Sequence, residues 1–170
     1  NPIKEDLPFY APQNANPNRF ITACRLFPQK NLTMMIDSVK ELINEGYNCT
    51  LDIYGDGYLK DSLQEYVNSK SLNDIVTLKG FSREIHKEML SSGCFVISSN
   101  YEGISNSMLE ALAIGIPVIS TDSPIGGAKM FIKSGENGIL TEVGNTKELT
   151  EAMRFMLSNR AEAIAFGKKA

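Results

Sequence analysis

Two carboxylates stand eight residues apart in the stretch Ser99-Asn100-Tyr101-Glu102-Gly103-Ile104-Ser105-Asn106-Ser107-Met108-Leu109-Glu110-Ala111, a separation that spans a loop and the helix it runs into. Acids so placed can face one bound ligand, each accepting hydrogen bonds from its hydroxyl groups. Glu102 precedes Gly103 and the polar run Ser105, Asn106, Ser107, residue types that favour turns and helix N-caps, so it is expected on the loop at the helix mouth. Gly103 beside it lets backbone approach a ligand closely. Glu110 is expected in the first helical turn, where two readings stay open. Ser107-Met108-Leu109-Glu110 fits a capping box, in which the glutamate reaches back to the N-cap amide. Alternatively, Glu110 accepts from ribose hydroxyls while the free N–H groups of the helix face phosphate.

Two cations complete the set. Arg25 and Lys30 flank Leu26-Phe27-Pro28-Gln29 directly after an expected strand, so both can reach over the carboxyl edge of a sheet and pair with a diphosphate, Arg as a fork and Lys as a point charge. Gly55-Asp56-Gly57 lacks the third glycine of a dinucleotide fingerprint and follows the second strand, so it reads as a tight turn. Gly126-Gly127 either admits a ligand to the backbone or only relaxes a turn. His86, the sole histidine, falls in a short amphipathic helix and suits a surface or packing role. No Ser-His-Asp set, zinc-ligand spacing or Asp-x-Asp metal motif is present, so no metal is expected.

The elements that must position these residues alternate along the chain. Strands are expected at 20–24, 49–54, 75–78, 95–97, 117–120 and 138–140. Helices are expected at 32–45, 59–67, 83–90, 106–114, 129–133 and 146–157. The first helix carries Leu32, Met35, Ile36, Val39, Leu42 and Ile43 on one face and ends at Gly46. Met34, Met35, Met153 and Met156 suit core filling. Such alternation implies a Rossmann-like, doubly wound parallel α/β sheet of six strands, which binds ligands beyond the carboxyl ends of its strands. Residues 1–18 hold four prolines (Pro2, Pro8, Pro12, Pro17) and no periodicity, and are expected to be an extended interdomain linker; the domain is expected to span 19–160, with 161–170 beginning a C-terminal helix.

Composition narrows the function classes. With 170 residues and 42% hydrophobic content, one domain can bury roughly 70% of its unfolded surface. A net charge of −3 and no basic cluster longer than Lys168-Lys169 argue against a nucleic-acid surface. Cys24, Cys49 and Cys94 are odd in number and lie in strand-like runs, which suits buried thiols in a reducing compartment. No signal peptide and no apolar run near 18 residues is evident, so the expected location is cytoplasmic, with the inner face of the cell membrane as the placement for a peripherally associated full-length protein.

Arg25 with Lys30, Tyr54-Gly55-Asp56-Gly57, Lys79-Gly80-Phe81, Glu102-Gly103 followed by Leu109-Glu110-Ala111-Leu112-Ala113, Gly115-Ile116-Pro117-Val118-Ile119, Gly126-Gly127 and Asn137-Gly138 together resemble the carboxyl-terminal half of family 4 retaining glycosyltransferases of GT-B architecture, over about residues 19–157. The resemblance implies a donor-binding domain whose acceptor-binding amino-terminal half is not in this chain. It implies that Arg25 and Lys30 neutralise the donor diphosphate, Glu110 holds the ribose and Glu102 contacts the sugar hydroxyls. Backbone around Gly103, Ile104 and Ser105 would meet phosphate and sugar, and the base would lie near Gly55 and Phe81. It also implies transfer of a hexose or N-acetylhexosamine from a uridine diphosphate sugar to a glycan or lipid-linked acceptor, as in polysaccharide assembly, without a cofactor. Ile104-Ser105-Asn106 departs from the Phe-Gly-Leu that many members carry, and Ala128-Lys129-Met130 replaces a segment that often holds an acid; no contact is carried over there. A fragment of a UDP-sugar epimerase of the same architecture is the second reading. A non-catalytic α/β interaction module, such as a receiver domain, is the third, although receivers need clustered acids where Arg25 stands.

Overall fold

The computed structural model describes residues 6–170. Six strands form one parallel sheet: β1 (Asn16–Ala23), β2 (Thr50–Tyr54), β3 (Val76–Gly80), β4 (Ser92–Ile97), β5 (Val118–Thr121) and β6 (Ile139–Thr141). Their spatial order is β3-β2-β1-β4-β5-β6. Helices α1 (Leu32–Asn44), α2 (Lys60–Ser69), α3 (Ile85–Leu90), α4 (Asn106–Ile114), α5 (Thr146–Ser158) and α6 (Arg160–Lys169) cover both faces. The expected α/β class, strand count and alternation are therefore observed.

Side-chain alternation along the strands builds two cores. Phe20, Cys94 and Val96 join one cluster with α1, α2, α5 and α6, whereas Ile21, Phe95 and Ile97 join the other with α3 and α4. β4 is buried along its whole length, which explains its unbroken apolar run. On α1, the stripe Leu32, Met35, Ile36, Val39 and Leu42 is buried. Those five side chains stabilise by roughly 8–15 kcal/mol before chain entropy is subtracted. Beyond the helix, Gly46 takes a φ of +94°, a value that disfavours any residue with a Cβ. The four methionines expected in the core are all buried.

Two expected elements are corrected: the strand expected from residue 20 begins at Asn16, and the helix expected at 129–133 is shorter. The boundary between residues 18 and 19 falls inside β1, which starts at Asn16. Pro17 is tolerated there because pairing with β4 shifts register between Asn16 and Phe20, where a missing N–H breaks no regular ladder. The described part of the expected linker is also packed down: the Tyr10 amide donates to the Ile114 carbonyl (2.8 Å) and its hydroxyl to the Ser92 carbonyl (2.8 Å). Residues 1–5 lie outside the described residues. At the other end, α6 shares the domain core through Ala163 and Phe166, and Arg160 donates to Tyr10 Oη (2.7 Å) and to the Gly93 carbonyl (2.9 Å). The helix expected at 129–133 is a single 3-10 turn, Ala128–Met130. It stops because the Asn137 side chain captures the Lys133 amide at 2.7 Å.

Arg19 ties the amino-terminal side of the sheet together. Its guanidinium donates to Asp52 on β2 (2.7 Å), to Glu88 on α3 (3.0 Å) and to Ser91 (2.6 Å).

Candidate functional site

β1 and β4 are neighbours, yet β1 leads into α1 on one face and β4 into α4 on the other. Between two such strands the connecting loops diverge and leave a crevice at their carboxyl ends. Lys30 enters this crevice from the β1–α1 loop and Glu102 from the β4–α4 loop, and the two form an ion pair with side chains only 15% and 20% exposed.

The two loops are bound to each other along their length. The Asn100 amide donates to the Gln29 carbonyl (2.8 Å), Gln29 Nε2 to the Tyr101 carbonyl (3.2 Å), and Asn31 Nδ2 to Asn100 Oδ1 (3.1 Å). Ser98 Oγ donates to the Lys30 carbonyl (2.8 Å). Asn31 sits in the left-handed region at φ +46°, where asparagine is among the better tolerated residues. This turn carries the chain from Pro28–Lys30 into α1 and so sets the height of Lys30 over the sheet.

Glu102 is further fixed from the end of β5. Ser123 Oγ lies 3.2 Å from both the amide and the carbonyl of Glu102, and Ser99 Oγ donates to Glu102 Oε2 at 2.9 Å. Sequence reasoning passed over Ser99, Thr121 and Ser123 as individual residues. Only their place at strand ends could have marked them, since serine and threonine occur in any loop.

A small hollow of about 10 Å³, room for roughly one water, is lined by Lys30, Ser99, Glu102, Ser105 and Ser107 together with Ala23 and Cys24. Beside it opens a cleft of about 400 Å³ lined by Arg25, Tyr54, Gly55, Phe81 and Ile85, again with Ala23 and Cys24. The shared residues make the two continuous across the end of β1. Arg25 is exposed, and its guanidinium makes no hydrogen bond or ion pair among the described residues. Phe81, on the rim of this cleft, is 71% exposed, and Ile104 on the β4–α4 loop is 50% exposed. Burial pushes the Cys24 thiol up to about 12, with Lys30 opposing and Glu102 adding to the rise. At neutral pH the thiol is therefore uncharged and sets no negative charge against an anion.

The structure brings Arg25, Lys30, Glu102, Gly55, Phe81 and Ser105 to the lining of these two hollows. Gly103 and Ile104 lie on the same loop. Glu110 lines neither hollow; it is half-buried on α4, and its carboxylate makes no hydrogen bond or ion pair among the described residues. The capping-box reading for it is overturned: the N-cap is Ser105, whose side chain accepts from the Met108 amide (3.3 Å). Glu110 is then the fifth helical residue rather than a first-turn one, too far along to reach back to the cap. Ser107, three residues before it, donates to the Ala23 carbonyl at 3.1 Å, so Glu110 shares the helix stripe that faces the end of β1.

Glycines explain how close the loops come. A Cβ on Gly55 would sit 1.8 Å from the Cys24 carbonyl oxygen, so the Gly55-Asp56-Gly57 segment serves as a backbone-on-backbone contact rather than as a turn alone. A Cβ on Gly127 would sit 2.0 Å from the Gly103 carbonyl oxygen, which resolves the open reading of the Gly126-Gly127 pair toward close packing of two loops. Gly103 differs: a Cβ there meets nothing within 4 Å.

The six-stranded parallel sheet with helices on both faces is a Rossmann-like α/β domain, and the fold is that of one half of a GT-B glycosyltransferase. Residues 4–170 match the model of the family described as glycosyl transferases group 1, and the chain belongs to that family. Among curated relatives, the N-acetylgalactosamine-N,N'-diacetylbacillosaminyl-diphospho-undecaprenol 4-alpha-N-acetylgalactosaminyltransferase of Campylobacter jejuni is 32% identical over 146 residues, 86% of this chain and 39% of that protein. The structure of a mutant of Staphylococcus aureus TarM with fondaparinux, alpha-GlcNAc-glycerol and UDP is 27% identical, with a TM-score of 0.85 over 95% of this chain and 34% of that one. The C-terminal domain of the group 1 family protein LpcC from Francisella tularensis shares the fold at 19% identity, with a TM-score of 0.82 over 96% of this chain and 91% of that domain. The chain spans 26% to 39% of the length of the first curated relatives it matches. Among the described residues no helix is long and apolar enough to cross a membrane.

Proposed function

We propose that this chain is the donor-binding half of a retaining glycosyltransferase that moves a hexose or N-acetylhexosamine from a uridine diphosphate sugar to a glycan or lipid-linked acceptor. The observation that carries the reading is the Lys30–Glu102 pair in the β1/β4 crevice beside the unpaired Arg25. In this reading Arg25 and Lys30 neutralise the diphosphate and Glu102 accepts from sugar hydroxyls. Glu110 accepts from the ribose, the base rests against Gly55 and Phe81, and backbone of Gly103, Ile104 and Ser105 passes along the phosphate and sugar. The open space over Gly103 supports such an approach.

As the sugar leaves the diphosphate, negative charge grows on the phosphate oxygens, and preorganised cations stabilise that charge more than they stabilise the bound donor. The reading invokes no resident metal or cofactor. An acceptor-binding domain would close over the donor and exclude water, so the chain alone is expected to bind donor and hardly to transfer it. Free thiols, Cys49 and Cys94 buried and Cys24 partly so, fit a reaction on the cytoplasmic side, including the inner membrane face. The UDP complex of TarM, and the sugar-transferring activity in the names of the curated relatives, support the ligand class.

Calorimetric titration of the chain with uridine, guanosine and adenosine diphosphates tests the proposal. Binding of UDP, weakened about tenfold or more by Arg25→Ala, is expected. Silence toward all three at millimolar ligand overturns it. For the full-length protein, glycosyl transfer rather than epimer formation is the expected reaction.

A further inference from the structure

Glu102 uses its two carboxylate oxygens unequally. Oε2 takes both protein contacts, from Lys30 Nζ and from Ser99 Oγ, and Oε1 has no partner among the described residues. The two donors on Oε2 differ in kind. Lys30 is a mobile ammonium on a four-carbon stem that a bound diphosphate would draw away. Ser99 is neutral and 1% exposed, at the end of β4, and its carbonyl accepts from Thr121 Oγ1 at 2.6 Å. Thr121 is itself 2% exposed and lies on β5. A hydroxyl so deeply buried has few alternatives for its proton, and a hydrogen bond to a carboxylate is among the stronger ones. The arrangement therefore holds Glu102 from the rigid sheet even when Lys30 departs.

We propose that Ser99, itself fixed by Thr121, is the positioning residue for Glu102: by holding Oε2 it presents Oε1 to the sugar, and it acts on the sugar moiety alone and not on the diphosphate. This rests on the reading of Glu102 as the sugar contact. It separates two duties within one crevice, since Lys30 serves the leaving group and the Thr121–Ser99 chain serves sugar recognition.

The test compares affinities of the chain for UDP and for a panel of UDP-glucose, UDP-galactose and UDP-N-acetylglucosamine by calorimetry. Ser99→Ala is expected to weaken the best-bound nucleotide sugar about tenfold while UDP stays within about twofold of wild type. Thr121→Val, which keeps the shape but removes the donor, is expected to move in the same direction by less, and Thr121→Ser to restore wild-type affinity. Equal weakening of UDP and nucleotide sugar by Ser99→Ala would show a general structural role and overturn the inference, as would no change in either ligand. If wild type binds UDP normally in those cases, only the role of Ser99 falls. If wild type binds no nucleoside diphosphate, the donor-binding reading falls and takes the inference with it.

Discussion

Replacing Lys30 by methionine keeps the length of the side chain and removes its charge. In the free protein that charge faces Glu102 in a crevice where both side chains are at most 20% exposed. For a diphosphate oxygen about 4 Å from the ammonium, the attraction is about 4 kcal/mol at an effective dielectric constant of 20. Part of that is offset because Lys30 must leave Glu102 to reach the ligand. The net for one charge-assisted contact is ~1.5–3 kcal/mol, so Lys30→Met is expected to raise the Kd for UDP roughly 10- to 150-fold. Glu102→Gln runs the other way: it releases Lys30 from an internal competitor, and UDP alone is expected to bind about two- to fivefold tighter, reflecting a pair worth ~0.5–1 kcal/mol. Calorimetry on both variants and on the double variant reads these changes, with thermal melting to confirm that each is folded. Opposite signs for the two single variants are the signature of competition for Lys30. A folded Lys30→Met that binds UDP within twofold of wild type would refute the assignment, and so would an equal loss in both variants.

Three further outcomes are expected. Gly127→Ala forces a Cβ to within 2.0 Å of the Gly103 carbonyl oxygen and should destabilise by about 1–3 kcal/mol, a fall in Tm of several degrees by circular dichroism. Gly103→Ala meets nothing within 4 Å and should leave Tm unchanged while weakening donor binding. The Arg19 guanidinium holds the Glu88 carboxyl below its ordinary range, against a smaller opposing effect of burial. Because the folded-state value lies below the unfolded one, the stability this linkage contributes is present above the unfolded pKa and is lost as pH falls through the folded value. The melting temperatures of wild type and Glu88→Gln should differ at neutral pH and converge in acid; a gap that persists at pH 2 would contradict this assignment.

Much of the architecture was legible in the residue pattern because it depends on local periodicity. The bounds 106–114 of α4 follow from a polar run ahead of an apolar stretch and from Gly115 beyond it, where φ is +91°. The stripe on α1 and the unbroken apolar run of β4 are likewise readable one residue after another. Choosing among neighbouring candidates was another matter. Ser105 and Ser107 are both good N-caps, and Ser107 loses the role because the helix already begins at Asn106, while Ser105 keeps the extended backbone of a cap (φ −79°, ψ 121°) and accepts from the Met108 amide. The start of β1 was hidden by Pro17, whose missing donor is harmless only because the pairing with β4 slips there. The 1–18 segment was read as linker because nothing in its prolines discloses that Tyr10 finds Ser92, Ile114 and Arg160.

The order of residues alone determined the six strands, the helices that join the first five of them, and the placing of Arg25, Lys30 and Glu102 on loops at strand ends, since each depends on spacings of a few residues. The tertiary structure decided that Lys30 meets Glu102 across 72 positions of chain, that Arg25 stays free among the described residues, and that Ser99 and Thr121 stand behind the carboxylate. Those pairings arise where β1 and β4 lie side by side with their helices on opposite faces. Strand order is a property of sheet packing as a whole, and no local stretch of sequence carries it.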